Sequence, residues 1–232
     1  ALRAGCKKPA LLVNGEDMDM QSLLAKRTAA NYQRIIGNHK LLMIDEAHSL
    51  GVLGEKGTGI EEHFNLYGGI DIKMGTLSKT IPSVGGYVAA NKDIITYLRH
   101  ASRAYIFSAA LPPAQAAAAN EAFKVILDEP ERIVKLNLNT KQFIGGLKSM
   151  GFDTMLTETA IVPVLCGDDM TAFAITREAQ LNDVFVLPVV SPAVPEGLAR
   201  LRATVTAAHD PSEIERAMDV IGEAGKKLGI IK

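Results

Sequence analysis

The stretch Lys40-Leu-Leu-Met-Ile-Asp45-Glu-Ala-His48 decides the fold of this 232-residue chain. A continuous apolar run that ends in charged residues is typical of a parallel strand whose carboxyl end faces a site. Before it, Met20–Ile36 carries apolar residues at helical spacing, and Pro9–Val13 has the pattern of a short buried strand. Strand, helix and strand in this order indicate an α/β protein with a mostly parallel sheet.

The residues after this stretch predict more strands and helices as far as residue 130. In chain order they are a strand at Ile70–Gly75 followed by Thr76-Leu-Ser-Lys79, a strand at Gly85–Ala90, a helix at Asn91–Arg103, a strand at Tyr105–Phe107 and a long alanine-rich helix that Pro112 and Pro113 open. We therefore expect residues 1–130 to form part of a large domain.

A different order of elements begins near residue 131. The predicted elements are a helix at Glu131–Met150, a strand at Ala160–Leu165, a helix at Met170–Leu181, strands at Val184–Val190 and Leu198–Thr206, and a helix at Pro211–Leu228. Asp210 is placed to cap the last helix, with Pro211 in its first turn. This order predicts a small carboxyl-terminal α+β domain over residues 131–232.

The composition excludes several classes of protein. The chain is 47% hydrophobic and 22% charged, and no apolar run is long enough to cross a bilayer. Because 25 basic and 26 acidic residues are mixed along the chain, nucleic acid and membrane surfaces are poor partners. Cys6 and Cys166 form no metal-binding or disulfide pattern, which predicts no metal site and favours a reducing cytoplasm.

Two short segments carry the candidate chemistry, Asp45 to His48 and Thr76 to Lys79. Each is weak alone, because most strand-end carboxylates are solvated and most lysines are exposed charges. Together they supply what pyridoxal phosphate (PLP) needs: a lysine for the imine, a carboxylate for the ring nitrogen and a hydroxyl for the phosphate. Lys79, Asp45 and Thr76 suit these roles, and His48 suits the phenolic oxygen of the ring.

Five segments of the chain resemble the α-oxoamine synthases, PLP-dependent acyltransferases with the aspartate-aminotransferase fold, fold type I. They are LLMIDEAHSLGVLGEKGTGI (41–60), DIKMGTLSK (71–79), VGGYVAA (84–90), YIFSAALPPA (105–114) and ARLRATVTAAHD (199–210). Several matches in the order of the family are far more specific than any one of them.

The resemblance implies an enzyme that joins an amino acid to an acyl thioester, on CoA or a carrier protein, usually with loss of CO2. It assigns Lys79 and Asp45 to the cofactor as above, His48 to a place beside its ring oxygen and Thr76 to its phosphate. It also implies a homodimer, in which Ser108 reaches the phosphate of the neighbouring subunit. Arg202 matches the clamp for the substrate carboxylate, a role that suits a planar guanidinium.

The sequence departs from the family pattern in three places. The family's long amino-terminal part has no counterpart here, and the chain has no initial methionine, so we expect it to be a fragment. VNGEDMDMQS (13–22) lacks the serine that the family usually has after the strand. Thr80-Ile-Pro82 replaces smaller residues after the lysine, which predicts a changed substrate preference.

Two alternatives remain open. The same Lys79 and Asp45 would serve an aminotransferase or lyase that uses no thioester. A partner subunit without catalysis is the other alternative, which retention of both residues disfavours. Arg200, two residues before Arg202, is interpreted as a surface charge on an edge strand.

Overall fold

The computed structural model describes residues 41–232. The chain divides into two compact units between Pro130 and Glu131. The predicted strand at Pro9–Val13 and the predicted helix at Met20–Ile36 lie outside the described residues. No helix within 41–232 is both long enough and apolar enough to cross a membrane.

The described part of the first unit contains one sheet and four helices. Its elements are β1 (Met43–Asp45), α1 (Ile60–His63), β2 (Ile72–Ser78), β3 (Pro82–Ala90), α2 (Lys92–Ala101), α3 (Arg103–Ile106) and α4 (Pro113–Asp128). The sheet order is β1-β2-β3. Strand β1 pairs with β2 in parallel, and β2 pairs with β3 antiparallel, so this sheet is mixed.

The turn between β2 and β3 is anchored by apolar side chains on both sides of Lys79. Leu77 and Ile81 are 5% and 1% exposed, and both pack with Ala119 of α4. Phe123, also on α4, packs against this cluster. Because Leu77 and Ile81 are buried two residues to either side, the exposed Lys79 is presented from an anchored turn.

The prediction of a strand at Tyr105–Phe107 is wrong. Residues Arg103–Ile106 form the short helix α3, in which the N–H of Phe107 donates to the carbonyl of Arg103 at 3.0 Å. Aromatic and β-branched residues favour strands, but this propensity depends on neighbouring strands to pack against. The other predicted elements of residues 41–130 are present, although β2 runs on to Ser78 and so includes Thr76.

The second unit is a three-stranded antiparallel sheet with three helices. Its elements are α5 (Glu131–Ser149), β4 (Ile161–Gly167), α6 (Asp169–Leu181), β5 (Leu187–Val189), β6 (Ala199–Thr204) and α7 (Pro211–Lys227). All the predicted elements of this region are present, and the main difference is that β5 is shorter than Val184–Val190. As expected, the last helix begins at Pro211, and the N–H of Asp210 donates to Glu213 Oε2 at 2.8 Å.

The strand β6 lies in the middle of its sheet, between β4 and β5. The placement of Arg200 on an edge strand is therefore wrong, because the sequence of a strand does not contain its position in a sheet. The alternation itself is as expected: Leu201 and Ala203 are buried on one face, while the two arginines lie on the other.

Candidate active site

The parallel pairing of β1 and β2 brings the two candidate segments together. Asp45 is the register partner of Met74, and the N–H of Glu46 continues the ladder by donating to the carbonyl of Met74 at 2.7 Å. The turn after β1 then places His48 Nε2 2.9 Å from Lys79 Nζ. Residues 31 positions apart thus form a direct hydrogen bond at the end of the sheet.

Asp45 stands at the end of β1 with its side chain exposed. Its Oδ1 accepts a hydrogen bond from the N–H of Ala47 at 2.8 Å, which leaves Oδ2 for another donor. A carboxylate held in this way can accept a hydrogen bond from a protonated ring nitrogen.

Thr76 is paired with a residue that sequence reasoning left without a role, Ser78. Their hydroxyl oxygens lie 2.7 Å apart, and Thr76 Oγ1 also donates to the carbonyl of Gly85 at 3.2 Å. The signal for Ser78 was present in the sequence, since residues two apart on a strand share a face. Two adjacent hydroxyls offer one more hydrogen-bond donor than Thr76 alone.

Glu46 is the second residue that the sequence interpretation missed. It is 3% exposed, and its carboxylate accepts hydrogen bonds from the Ser49 hydroxyl and from the N–H of Ile60. Its position between Asp45 and His48 was the only signal. The buried carboxylate thus connects the turn that carries His48 to Ile60 by hydrogen bonds.

The remaining titratable groups are less suited to chemistry. Burial, with a smaller effect from the charges of Glu46 and Asp45, raises the pKa of Tyr87, so this phenol stays neutral near the sheet end. Burial also raises the pKa of Cys166 to about 11, which keeps the thiol protonated and unreactive. Among residues 41–232, no three His, Cys, Asp or Glu side chains are arranged to hold a metal ion.

Ser108 lies on the surface just after α3. Its hydroxyl donates to the carbonyl of Ala104, and the neighbouring Phe107 is 78% exposed. The structure does not bring Ser108 into contact with the residues at the end of β1 within the described part of this unit.

Arg202 is exposed on β6 and lines a cavity of about 500 Å³ within the second unit. Arg216 lines the same cavity but is paired with Asp183 at 3.1 Å. No described residue of this unit forms an ion pair with the Arg202 guanidinium. Arg200 is engaged differently, since its Nε donates to the carbonyl of Leu198 at 2.9 Å.

Comparison with known proteins places the chain in a family. Residues 28–221 match the pattern of the aminotransferases of class I and II. Because this match covers most of the sequence, the chain belongs to that family. The chain spans about half the length of the curated relatives it matches.

The relatives define a narrower group inside the family. An 8-amino-7-oxononanoate synthase of Thermoanaerobacter pseudethanolicus is 45% identical over 188 residues, which are 81% of this chain and 48% of the relative. The 8-amino-7-oxononanoate synthase 1 of Bacillus subtilis is 43% identical, over 82% of this chain and 48% of the relative. The resemblance to α-oxoamine synthases is therefore confirmed.

A solved structure supports the same conclusion for the fold. A serine palmitoyltransferase variant from S. paucimobilis with bound PLP-myriocin aldimine has a TM-score of 0.80 and 33% identity. The match covers 87% of this chain and 50% of that one. The prediction of an α/β protein of PLP-dependent transferase fold type I is confirmed.

Proposed function

We propose that this chain is part of a PLP-dependent acyltransferase that condenses an amino acid with an acyl thioester to give an α-oxoamine. The observation that carries the proposal is the Lys79–His48 contact of 2.9 Å, formed beside Asp45 where two parallel strands end. Carboxyl ends of parallel strands are where α/β proteins bind ligands. Relatives named 8-amino-7-oxononanoate synthase support the choice of reaction.

The donor set of the first unit fits PLP, group by group. Lys79 offers an exposed amine for the aldehyde, and Asp45 offers an exposed carboxylate for the ring nitrogen. The hydroxyls of Thr76 and Ser78 lie side by side and can both donate to a phosphate once they turn away from each other. When bound, PLP would supply an electron-accepting ring that stabilises negative charge at the α-carbon of the amino acid.

The residues of the chain would divide the remaining work. Lys79 would hold the cofactor and, once displaced by the substrate, move the α-proton with its amine. The His48 imidazole would keep that amine oriented through the hydrogen bond between Nε2 and Nζ. Arg202 would bind the substrate carboxylate in a bidentate fork and so determine which bond at the α-carbon reacts.

The overall reaction would transfer the acyl group from the thiol to the α-carbon of the amino acid. A carbon–carbon bond forms between the α-carbon and the thioester carbonyl, the carbon–sulfur bond breaks, and the thiol leaves with the proton from the α-carbon. Loss of the carboxylate as CO2 usually follows, and a proton from water then takes its place on the α-carbon. An aminotransferase or lyase would release no thiol, which separates the alternatives by experiment.

We further propose a homodimer that works in the reducing cytoplasm. Support for the dimer comes from the exposed aromatic and aliphatic side chains around Ser108, namely Tyr105, Ile106, Phe107 and Leu111. Several large apolar side chains exposed close together in the chain are typical of a protein interface. In this dimer Ser108 would reach the phosphate site of the other subunit, and sedimentation analysis would detect the association.

The proposed reaction is tested by screening amino acids against acyl thioesters for thiol release by the purified protein supplied with PLP. Glycine, alanine and serine with acetyl-CoA and longer acyl-CoAs form a suitable matrix, and Lys79→Ala is the control. Thiol release that depends on the amino acid and on Lys79 supports the proposal. Conversion of the amino acid to a keto acid without thiol release would support the aminotransferase alternative.

A further inference from the structure

The loop of residues 46–60 carries His48 and closes on a buried carboxylate at its own start. Both oxygens of Glu46 accept from the N–H of Ile60, at 3.2 Å for Oε1 and 3.1 Å for Oε2. The Ser49 hydroxyl donates to Oε2 as well. The carboxylate therefore joins the first and last residues of the loop, which are 14 positions apart.

The space around this carboxylate depends on a glycine. A Cβ atom on Gly59 would lie 2.4 Å from Oε2 of Glu46, and the φ of Gly59 is 105°, a conformation that side chains rarely adopt. The N–H of Gly59 also donates to the carbonyl of Leu53 at 3.0 Å. The glycine thus allows the end of the loop to pack directly against the Glu46 carboxylate.

The same residue holds the turn that contains His48. The N–H groups of Ser49 and Leu50 both donate to the carbonyl of Glu46 at 3.1 Å. His48 lies inside this turn, and its ring meets Lys79 on the other side. Main chain and side chain of one buried residue thus fix the position from which the imidazole reaches the lysine.

We propose that Glu46 is a positioning residue that sets the contact between His48 and Lys79, and through it the reactivity of the Lys79 amine. The inference deepens the function proposed above, because that function makes Lys79 the reacting amine. Glu46 acts on this contact through the loop, by its hydrogen bonds with Ser49, Leu50 and Ile60.

Glu62 provides a matched control in the same loop region. Its carboxylate accepts from the N–H groups of Lys56 and Thr58 at 3.0 Å each, and it fills the space beside Gly54 as Glu46 does beside Gly59. Burial alone would raise the pKa of Glu62, but the hydrogen bonds from Thr58 and Lys56 together lower it. Glu62 therefore stabilises the far part of the loop as an anion, without holding the turn at His48.

The test is competitive acetylation of the cofactor-free protein with acetic anhydride, with the rate at Lys79 read by mass spectrometry against Lys92 and Lys148. In Glu46→Ala the rate at Lys79 should rise roughly fivefold, because a hydrogen bond worth about 1 kcal/mol no longer holds the amine. Glu46→Gln keeps an acceptor oxygen and should restore most of the wild-type rate. Glu62→Ala should leave the Lys79 rate unchanged, even where it lowers the melting temperature.

Gly59→Ala provides a second route to the same result if Glu46→Ala fails to fold. Its added methyl group should displace the carboxylate and raise the Lys79 rate in the same direction. An unchanged Lys79 rate in folded Glu46→Ala or Gly59→Ala, or an equal rise in Glu62→Ala, would overturn the proposal. Failure of the protein to bind PLP would refute the proposed cofactor. Because acetylation needs no PLP, the Lys79 rates of the variants would still decide the role of Glu46.

Discussion

The Lys79 turn and the Arg202 strand hold their charged side chains by different means. Lys79 lies in a turn whose surroundings include the polar loop of Glu46, and within residues 41–130 the buried hydrophobic side chains are Leu77, Ile81 and Ala119. Arg202 lies on the central strand β6. The residues on either side of it, Leu201 and Ala203, are buried in a broad apolar core. In the first region the few buried side chains and the exposed lysine lie within one short turn, whereas in the second a large core lies on one face of the strand and the arginines lie on the other.

Truncation of one buried side chain in each region has the largest expected effect. We expect Ile81→Ala and Leu201→Ala each to lower the free energy of unfolding of its own unit by about 2–5 kcal/mol, with Leu201 at the upper end. Both side chains are fully buried, at 1% and 0% exposure, but Leu201 has more buried neighbours to leave around a cavity. Hydrogen exchange of peptides from each unit measures the two losses separately.

The two variants should differ at Lys79. Ile81→Ala loosens the turn and should change the rate of Lys79 acetylation, whereas Leu201→Ala should not. Equal effects of both variants on that rate would show that the contrast between the regions is wrong.

A smaller effect is expected from the buried amide of Asn139 on α5. Its Nδ2 donates to the carbonyls of Thr206 and His209 at 3.0 and 2.9 Å, and so fixes the loop between β6 and α7. Asn139→Ala leaves both carbonyls without this donor and should lower the free energy of unfolding by about 1–3 kcal/mol. Urea unfolding measures the change, and the exposed Asn137 on the same helix supplies the control variant Asn137→Ala, which should have little effect.

The smallest expected change in free energy is a difference in substrate binding between variants of the two arginines of β6. Arg202→Lys loses the bidentate fork, so the KM for the amino acid should rise roughly tenfold, or about 1.4 kcal/mol. Arg200→Lys should leave that KM near the wild-type value, because the Arg200 side chain already bonds to Leu198. Steady-state kinetics with the substrate found by thiol release would compare them, and a larger change at Arg200 would contradict the assignment.

The sequence predicts those features that depend on local pattern. The strands around Asp45 and Thr76 follow from apolar runs and their charged ends, and the helix start at Pro211 follows from its capping residues. The grouping of Lys79 with Asp45 and His48 followed from the chemistry that they share. Their roles at the cofactor, like those of Ser108 and Arg202, stay predictions.

What the sequence could not show depends on contacts between distant residues. Glu46 resembles any other acidic residue until the structure shows that Ile60 donates to its carboxylate. The aromatic and β-branched residues of Tyr105–Phe107 favour a strand, and nothing in this segment alone shows that Arg103–Ile106 forms a helix. The position of β6 in the middle of its sheet likewise results from its pairing with β4 and β5. The sequence around Arg200 and Arg202 does not show this pairing. Each of these features depends on residues that are distant in the sequence and close in the structure.

Borohydride reduction of the protein with PLP shows whether Lys79 is the cofactor-binding lysine. Mass spectrometry of the digested product should locate one pyridoxyl group on Lys79, and Lys79→Ala should abolish both this label and the visible absorbance that PLP gives with wild type. His48→Ala should retain the label at a lower yield, because it removes the hydrogen bond to Nζ but not the amine. A label on another lysine, such as Lys73, or an unchanged spectrum in Lys79→Ala would show that Lys79 does not bind the cofactor.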